Sequence, residues 1–205
     1  MQINKEHETE VIKTDLKKNQ KDWIEHFNQK GQKMISAPDI YQTAKKEDKT
    51  LMESLKQDFK DSWVVTSTRI IYNKEDLNAE IIHDFDSKIV KEKRFNVKIN
   101  EYREIIKEDS ETEAYLQALF DTKDDINTII KVIKRFDNQK NIYLLTPSQS
   151  SRADRPIRSV RLYFYFDGFY VDGGSWIGNY GGGLSRGVLV SSAKQNTKKK
   201  GGNKP

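Results

Sequence analysis

The side chains able to do chemistry here are three histidines, a few paired carboxylates and a dense set of tyrosines, and no cysteine accompanies them. The missing thiol removes disulfides, thiolate nucleophiles and cysteine-ligated zinc. His7, His26 and His83 are scattered, and no neighbouring residues complete a triad or a metal set, so they are expected to be structural or surface histidines. The stretch His83-Asp84-Phe85-Asp86 brings two hard oxygen ligands together but lacks calcium-loop spacing, which predicts a solvated turn. The segment Gly178 to Gly183, GNYGGG, has no following Gly-Lys-Ser/Thr and is not a phosphate loop. Its glycines suit a tight path that exposes Asn179 and Tyr180.

What remains is chemistry of recognition. Arg161, Tyr163, Tyr165, Asp167, Tyr170 and Asp172 alternate with apolar residues, and Ser175, Ile177, Asn179 and Tyr180 follow in a glycine-rich stretch. Tyrosine offers a rigid amphipathic contact, while Ser, Gly and Asn adapt their hydrogen bonding. Aromatic and Arg side chains are enriched where binding energy concentrates. The competing account is that these tyrosines form a second core beneath the N-terminal helices.

The elements that must position this set follow from periodicity. Val160, Leu162, Phe164 and Phe166 share one face of a strand whose other face carries Arg161, Tyr163 and Tyr165. Asp167-Gly168 signals a two-residue hairpin turn. Phe169 and Val171 continue the inward face of the return strand, Tyr170 and Asp172 the outward one. A loop from Gly173 to Gly183 is anchored by Trp176, and a last strand, Gly187 to Ser191, points Val188 and Val190 inward.

Upstream, a helix is expected over Leu16 to Gln29 with Gly31 past its end. Ser36-Ala37-Pro38-Asp39 reads as a cap opening a second helix, and a third covers Lys49 to Lys60. Ser62 to Tyr72 is β-branched and aromatic, hence a strand; Asn73 to Ala79 reads as a turn, with further strands in Ile81 to Asp86 and Lys88 to Ile99. Capping boxes at Ser110 and Thr122 open two more helices. Asn141 to Thr146 is a short strand, and Ser148 to Pro156 a polar loop. Strands and helices without a repeating βαβ order predict an α+β fold.

The 205 residues suit one domain. Residues 1–34 are expected to be a polar extension containing a helix, 35–192 the domain, and 193–205 a basic disordered tail with the Lys198-Lys199-Lys200 cluster. Up to Lys140 the chain is rich in lysine and poor in glycine, whereas Asn141 to Ala193 has no lysine. The net charge is +5, with acids and lysines interleaved. No run is apolar enough for a membrane span, and no signal-peptide h-region is visible. The compartment stays open, display on a cell surface or virus particle included.

The alternation Val160-x-Leu162-x-Phe164, the motif Gly173-Gly174-Ser175-Trp176 and the ending Ser185-Arg186-Gly187-Val188-x-Val190 resemble the C-terminal variable region of diversity-generating retroelement variable proteins, above all their archaeal branch. The resemblance covers about residues 158–192, and more weakly the scaffold from Ile35. It implies a C-type-lectin-like fold, with helices on a small antiparallel sheet and a C-terminal hairpin displaying residues rewritten by adenine-directed mutagenesis. It implies that Arg161, Tyr163, Tyr165, Asp167, Tyr170, Asp172, Ser175, Ile177, Asn179 and Tyr180 vary. Val160, Leu162, Phe164, Phe169, Val171, Trp176, Arg186 and Val188 would be framework. Gly-Gly-Ser-Trp also resembles the formylglycine-generating enzymes, whose oxidase chemistry needs cysteines this chain lacks. The Glu-Pro-Asn, Gln-Pro-Asp and Trp-Asn-Asp motifs of calcium-dependent lectins are absent too.

The expected function is therefore non-enzymatic, cofactor-free and metal-free binding of a protein or glycan on another cell or particle. The alternative is a nucleic-acid-binding module that uses the Tyr/Phe hairpin as a stacking platform and the basic tail for phosphates.

Overall fold

A computed structural model describes residues 17–99, 110–138, 140–166, 168–176 and 182–190. Expectations for the first sixteen residues, the basic tail, Asp167, Ile177, Asn179 and Tyr180 fall outside these, as does the Trp176 side chain. The order is α1 (Gln20–Gln29), β1 (Lys33–Met34), α2 (Ala37–Lys45), α3 (Lys49–Asp61), β2 (Val64–Tyr72), β3 (Asn78–His83) and β4 (Lys93–Lys98). Then come α4 (Ser110–Phe120), α5 (Ile126–Ile133), β5 (Asn141–Leu145), α6 (Gln149–Asp154), β6 (Ile157–Tyr165), β7 (Gly168–Trp176) and β8 (Gly187–Val188). The fold is α+β. The sheet is larger than expected and mixed: six strands in the order β4-β3-β2-β6-β7-β5, with β5 parallel to β7.

Local chemistry sets most boundaries. Ser36 and Asp39 form a reciprocal capping box at the start of α2, with Pro38 in the first turn. Gly31, at φ 67°, takes the left-handed conformation that ends α1. Asp125, not Thr122, caps α5 by accepting from Thr128 N, because the Thr122 hydroxyl is turned to Asp124 N. The expected polar loop 148–156 contains α6, capped by Ser148. Asn78 and Ala79, expected in a turn, begin β3, and β4 is confined to the second half of its expected range.

The main core lies between one sheet face and the helices, with Leu55, Phe59, Tyr115, Leu119 and Ile129 meeting Ile70, Ile81, Val160, Leu162, Phe169 and Val171. A smaller cluster joins Trp23, Ile24 and Phe27 of α1 to Met34 and Val65. Strand β1 pairs with β8, so the early chain is stitched to the late chain. Strand β2 carries Thr66, Ser67 and Thr68 opposite the single residue Val160. Gln20 plugs this bulge: its amide donates to Thr66 O and Thr68 O at 2.8 and 2.9 Å and accepts from Arg69 Nε at 2.9 Å. Thr68 Oγ1 in turn meets His83 Nδ1 at 3.1 Å, and His83 Nε2 meets Ala118 O at 2.8 Å.

Candidate functional site

The hairpin turns one residue earlier than expected. Tyr165 pairs with Gly168, so the strand ends before Phe166, which, expected inward, has φ 40° and is 80% exposed at the tip. The return strand absorbs an extra residue at Gly173-Gly174, since Ser159 faces Ser175 while Arg161 faces Asp172. Residues 173–176, expected in a loop, therefore belong to β7.

The inward framework positions behave as their alternation demands. Val160, Leu162, Phe169 and Val171 are buried, and Phe164 packs against the same core, edge-on to Phe169. On the other face a tyrosine ladder crosses three strands. Tyr163 and Tyr170 stack at 5.2 Å with 3° between their planes, and Tyr170 and Tyr143 stack at 4.8 Å and 16°. Tyr165 meets Tyr170 edge-on at 6.1 Å and touches Phe166. Tyr163 and Tyr170 are half-buried, and Tyr165 is 55% exposed.

Tyr143 was missed by reasoning confined to the last segment. The signal was present, because Tyr143 stands outward between inward Ile142 and Leu144. Gly168 makes room for it: a Cβ there would lie 2.3 Å from the Tyr143 ring.

Arg161 and Asp172, expected to be outward and available, are 5% and 9% exposed. They lie on the ladder's face; Arg161 is paired with Val65, beside which Trp63 and the smaller cluster pack, and Asp172 lies between Arg161 and Leu145 of β5. Arg161 sits over the Trp63 ring at 5.2 Å from its centroid. Asp172 accepts from Gly174 N at 2.7 Å and from Ser175 Oγ at 2.5 Å, so half-buried Ser175 is held in place. Burial pushes the Asp172 carboxyl above its ordinary range, against the pull of these two donors and of Arg161 and Arg158. Burial lowers the Arg161 pKa, with Asp172 opposing, and raises that of the Tyr163 hydroxyl, with Asp172 and Tyr170 adding to the rise.

The segment following the described hairpin is locked. Arg186, 2% exposed, donates through Nε to Asp58 Oδ2 at 2.6 Å and through a terminal nitrogen to Ser54 O at 3.0 Å. Ser185 Oγ donates to Val65 O, Trp23 Nε1 donates to Gly183 O, and Val188 packs on the main core, whereas Val190, expected inward, lies past the end of the two-residue β8 and is exposed.

The other chemical candidates resolve into structure. His83 bridges strand and helix as a buried clamp, while His26 is packed on Trp23 and Phe27. Asp84 is not a solvated turn residue: with Asp39 it grips the Lys33 ammonium, at 3.0 and 2.8 Å, so a lysine occupies the space between the two carboxylates. Among the described residues no group of three or more His, Asp or Glu side chains is placed to hold a metal ion, and no helix is long and apolar enough to cross a membrane. A large cleft, about 1080 Å³, lies away from the ladder between α3 and α5 and is rimmed by Lys49, Lys56, Lys131 and Lys134. A smaller cavity of about 370 Å³ adjoins Tyr163 and Tyr165. No protein-family model, no curated protein and no solved structure matches this chain.

Proposed function

We propose that this chain is a non-enzymatic ligand-binding protein whose recognition surface is the face of the hairpin carrying Tyr163, Tyr165, Phe166 and Tyr170. We propose further that it is a retroelement-diversified variable protein with a C-type-lectin-like form of the α+β fold. The observation that carries the reading is the separation of locked and free positions along β6 and β7. Inward side chains are buried in the main core, while Tyr163, Tyr165 and Tyr170 rise from the opposite face of the same strands. Side chains of the second kind can be exchanged without opening cavities, and those of the first kind cannot. A surface held on paired strands is also preorganised, which lowers the ordering cost of binding. In packing terms Arg161 and Asp172 join the framework, so the exchangeable set on the described strands narrows to the three tyrosines and the tip.

Deep sequencing of the gene's 3′ end and its flanking DNA tests this. Substitutions are expected to gather at adenine-bearing codons for Tyr163, Tyr165 and Tyr170, to spare Leu162, Val171 and Arg186, and to accompany an adenine-rich near-copy of the segment. A segment as constant as the helices would overturn the diversification reading.

Nucleic-acid binding is less well supported at the hairpin. The ladder rings stack on one another, so the central Tyr170 spends both π-faces on its neighbours and Tyr143 and Tyr163 one each, which leaves fewer open faces for base stacking. The lysine-rimmed cleft is the observation that favours that reading. Its floor of Met52, Ile130 and Phe136 presents no ring for stacking, because Phe136 is buried. Affinity for an oligonucleotide that fell steeply with salt would support it.

A further inference from the structure

We propose that the cleft between α3 and α5 is a second binding surface, a docking groove for an acidic amphipathic helix of a partner protein. The inference goes beyond the ligand-binding reading above and does not depend on it.

Each wall is a helix that turns a basic stripe to the cleft. On α3, Lys49, Met52, Lys56 and Lys60 fall at helical spacing, and Lys49 and Lys60 lie about 16 Å apart along the axis. On the opposite wall Ile130 and Lys131 belong to α5, and Lys134 continues the stripe at its end. The floor is apolar. Ile130 and Phe136 are buried, Phe136 edge-on to Phe59, and half-buried Met52 packs on the main core. Methionine adapts its shape to varied apolar partners. Lysine stems extend apolar surface up the walls while their ammonium groups stay in water. A volume of about 1080 Å³ exceeds the roughly 300–1,000 Å³ of small-molecule pockets and suits one face of a helix laid along the groove.

The charge in the cleft is unbalanced. Six cationic side chains line it against two carboxylates, Glu47 and Asp137. Glu47 is taken by Arg135 at 3.0 Å, and Arg135 also donates to Ala44 O and Lys45 O at 2.9 Å each. Lys56 reaches Glu53 only at 4.0 Å. Lys49, Lys60, Lys131 and Lys134 have no acidic partner among the described residues. Elsewhere surface cations close onto acids, as Lys45 does on Asp124 and Arg94 on Glu80. Lys56 and Lys60 are like charges one turn apart on α3, an arrangement that works against the helix. Carboxylates flanking an apolar stripe on an incoming helix would relieve that repulsion, and opposite charge would steer the encounter.

A nucleic-acid strand would meet the same cations. Its sugars and phosphates gain nothing from an aliphatic floor, and no open ring is there to stack on. Every lining residue lies between 47 and 138, before the segment proposed to vary, so the groove would be common to all versions of the protein.

Two fluorescein-labelled peptides of about four helical turns test this. One sets leucines in a stripe at every third or fourth residue between flanking glutamates; the other holds the same residues in an order that breaks the stripe. Binding to the full chain is followed by anisotropy, and its location by the Met52 methyl resonance, identified by its loss in Met52→Gln. The striped peptide is expected to bind with a dissociation constant of about 0.1 mM or below, roughly tenfold more tightly than the scrambled one, and to move the Met52 signal. Lys49→Glu and Lys131→Glu, at exposed positions on opposite walls, should together weaken it by about tenfold or more. Met52→Gln should reduce the preference for the stripe. Equal binding of the two peptides would overturn the proposal, as would no binding at about 1 mM, an unmoved Met52 signal, or full affinity in the doubly substituted protein. Tighter binding of an oligothymidylate of equal charge would overturn it in favour of nucleic acid. The sequencing result is read separately. A constant gene segment removes diversification and leaves the groove, and a varying segment with no peptide binding does the reverse.

Discussion

Tyr163, Tyr165 and Phe166 turn their rings away from the main core, and between Ser185 and Val188 the chain sends every side chain into the protein. Both stretches belong to the glycine- and aromatic-rich C-terminal part, and both run antiparallel to a neighbouring strand. What separates them is the partner on the second face. Strand β8 is enclosed by β1, α1 and α3: a Cβ at Gly187 would fall 2.3 Å from Gln32 Oε1 and 2.8 Å from the Phe27 ring. Among the described residues, the outer half of β6 has the main core on one face and the tyrosine ladder on the other. One region fixes the fold and the other can change without disturbing it.

The sharpest way to break that comparison is at Arg186. Arg186→Met leaves the Asp58 carboxylate buried without its cation, and removing one partner of such a pair costs about 3–5 kcal/mol. A urea midpoint near that of the unsubstituted protein would contradict the locked half. Gln20→Leu comes next. It strands Thr66 O, Thr68 O and Arg69 Nε inside the β2 bulge, with an expected loss of roughly 2–3 kcal/mol in chemical denaturation.

A pH series gives a smaller effect. Burial holds the His83 imidazole below its ordinary pKa of 6.5, so the folded protein keeps it neutral while the unfolded chain gains a proton near that value. The stability it contributes is complete above pH 6.5 and falls as pH drops from there toward the folded value. His83→Gln should flatten that limb of the melting-temperature profile. Smallest of all, Tyr165→Ala should move stability by no more than about 0.5 kcal/mol in chemical denaturation. A large loss of stability would show that the ladder is a second core after all.

Much of the scaffold was legible because its signals are local. The capping box at Ser36, the glycine stop at Gly31 and the alternation from Val160 to Phe164 each need only a few adjacent residues. The misreadings share a cause in partners far along the chain. Arg161 and Asp172 occupy outward positions by alternation, yet Trp63, about a hundred residues earlier, lies against Arg161, and Asp172 is closed in between Arg161 and Leu145 of β5. Gln20 looked like one more polar helix residue until the bulge it fills lay beside it. Phe166 was assigned by continuing a period of two past the point where the chain turns. Tyr143 joined the ladder through a parallel pairing that no short-range pattern announces.

Strand β5, lying against the outer side of β7, has one more consequence. Both arms of the hairpin become interior strands, and the sheet's margins fall to β5 and to β4, where Lys93, Arg94 and Lys98 stand. Unpaired strand margins are where sheets from different molecules zip together, and charged residues discourage it. The hairpin can thus take on sticky side chains without offering a free backbone edge of its own, so a protein whose surface is rewritten repeatedly would keep the rewritten strands away from the sheet's margins.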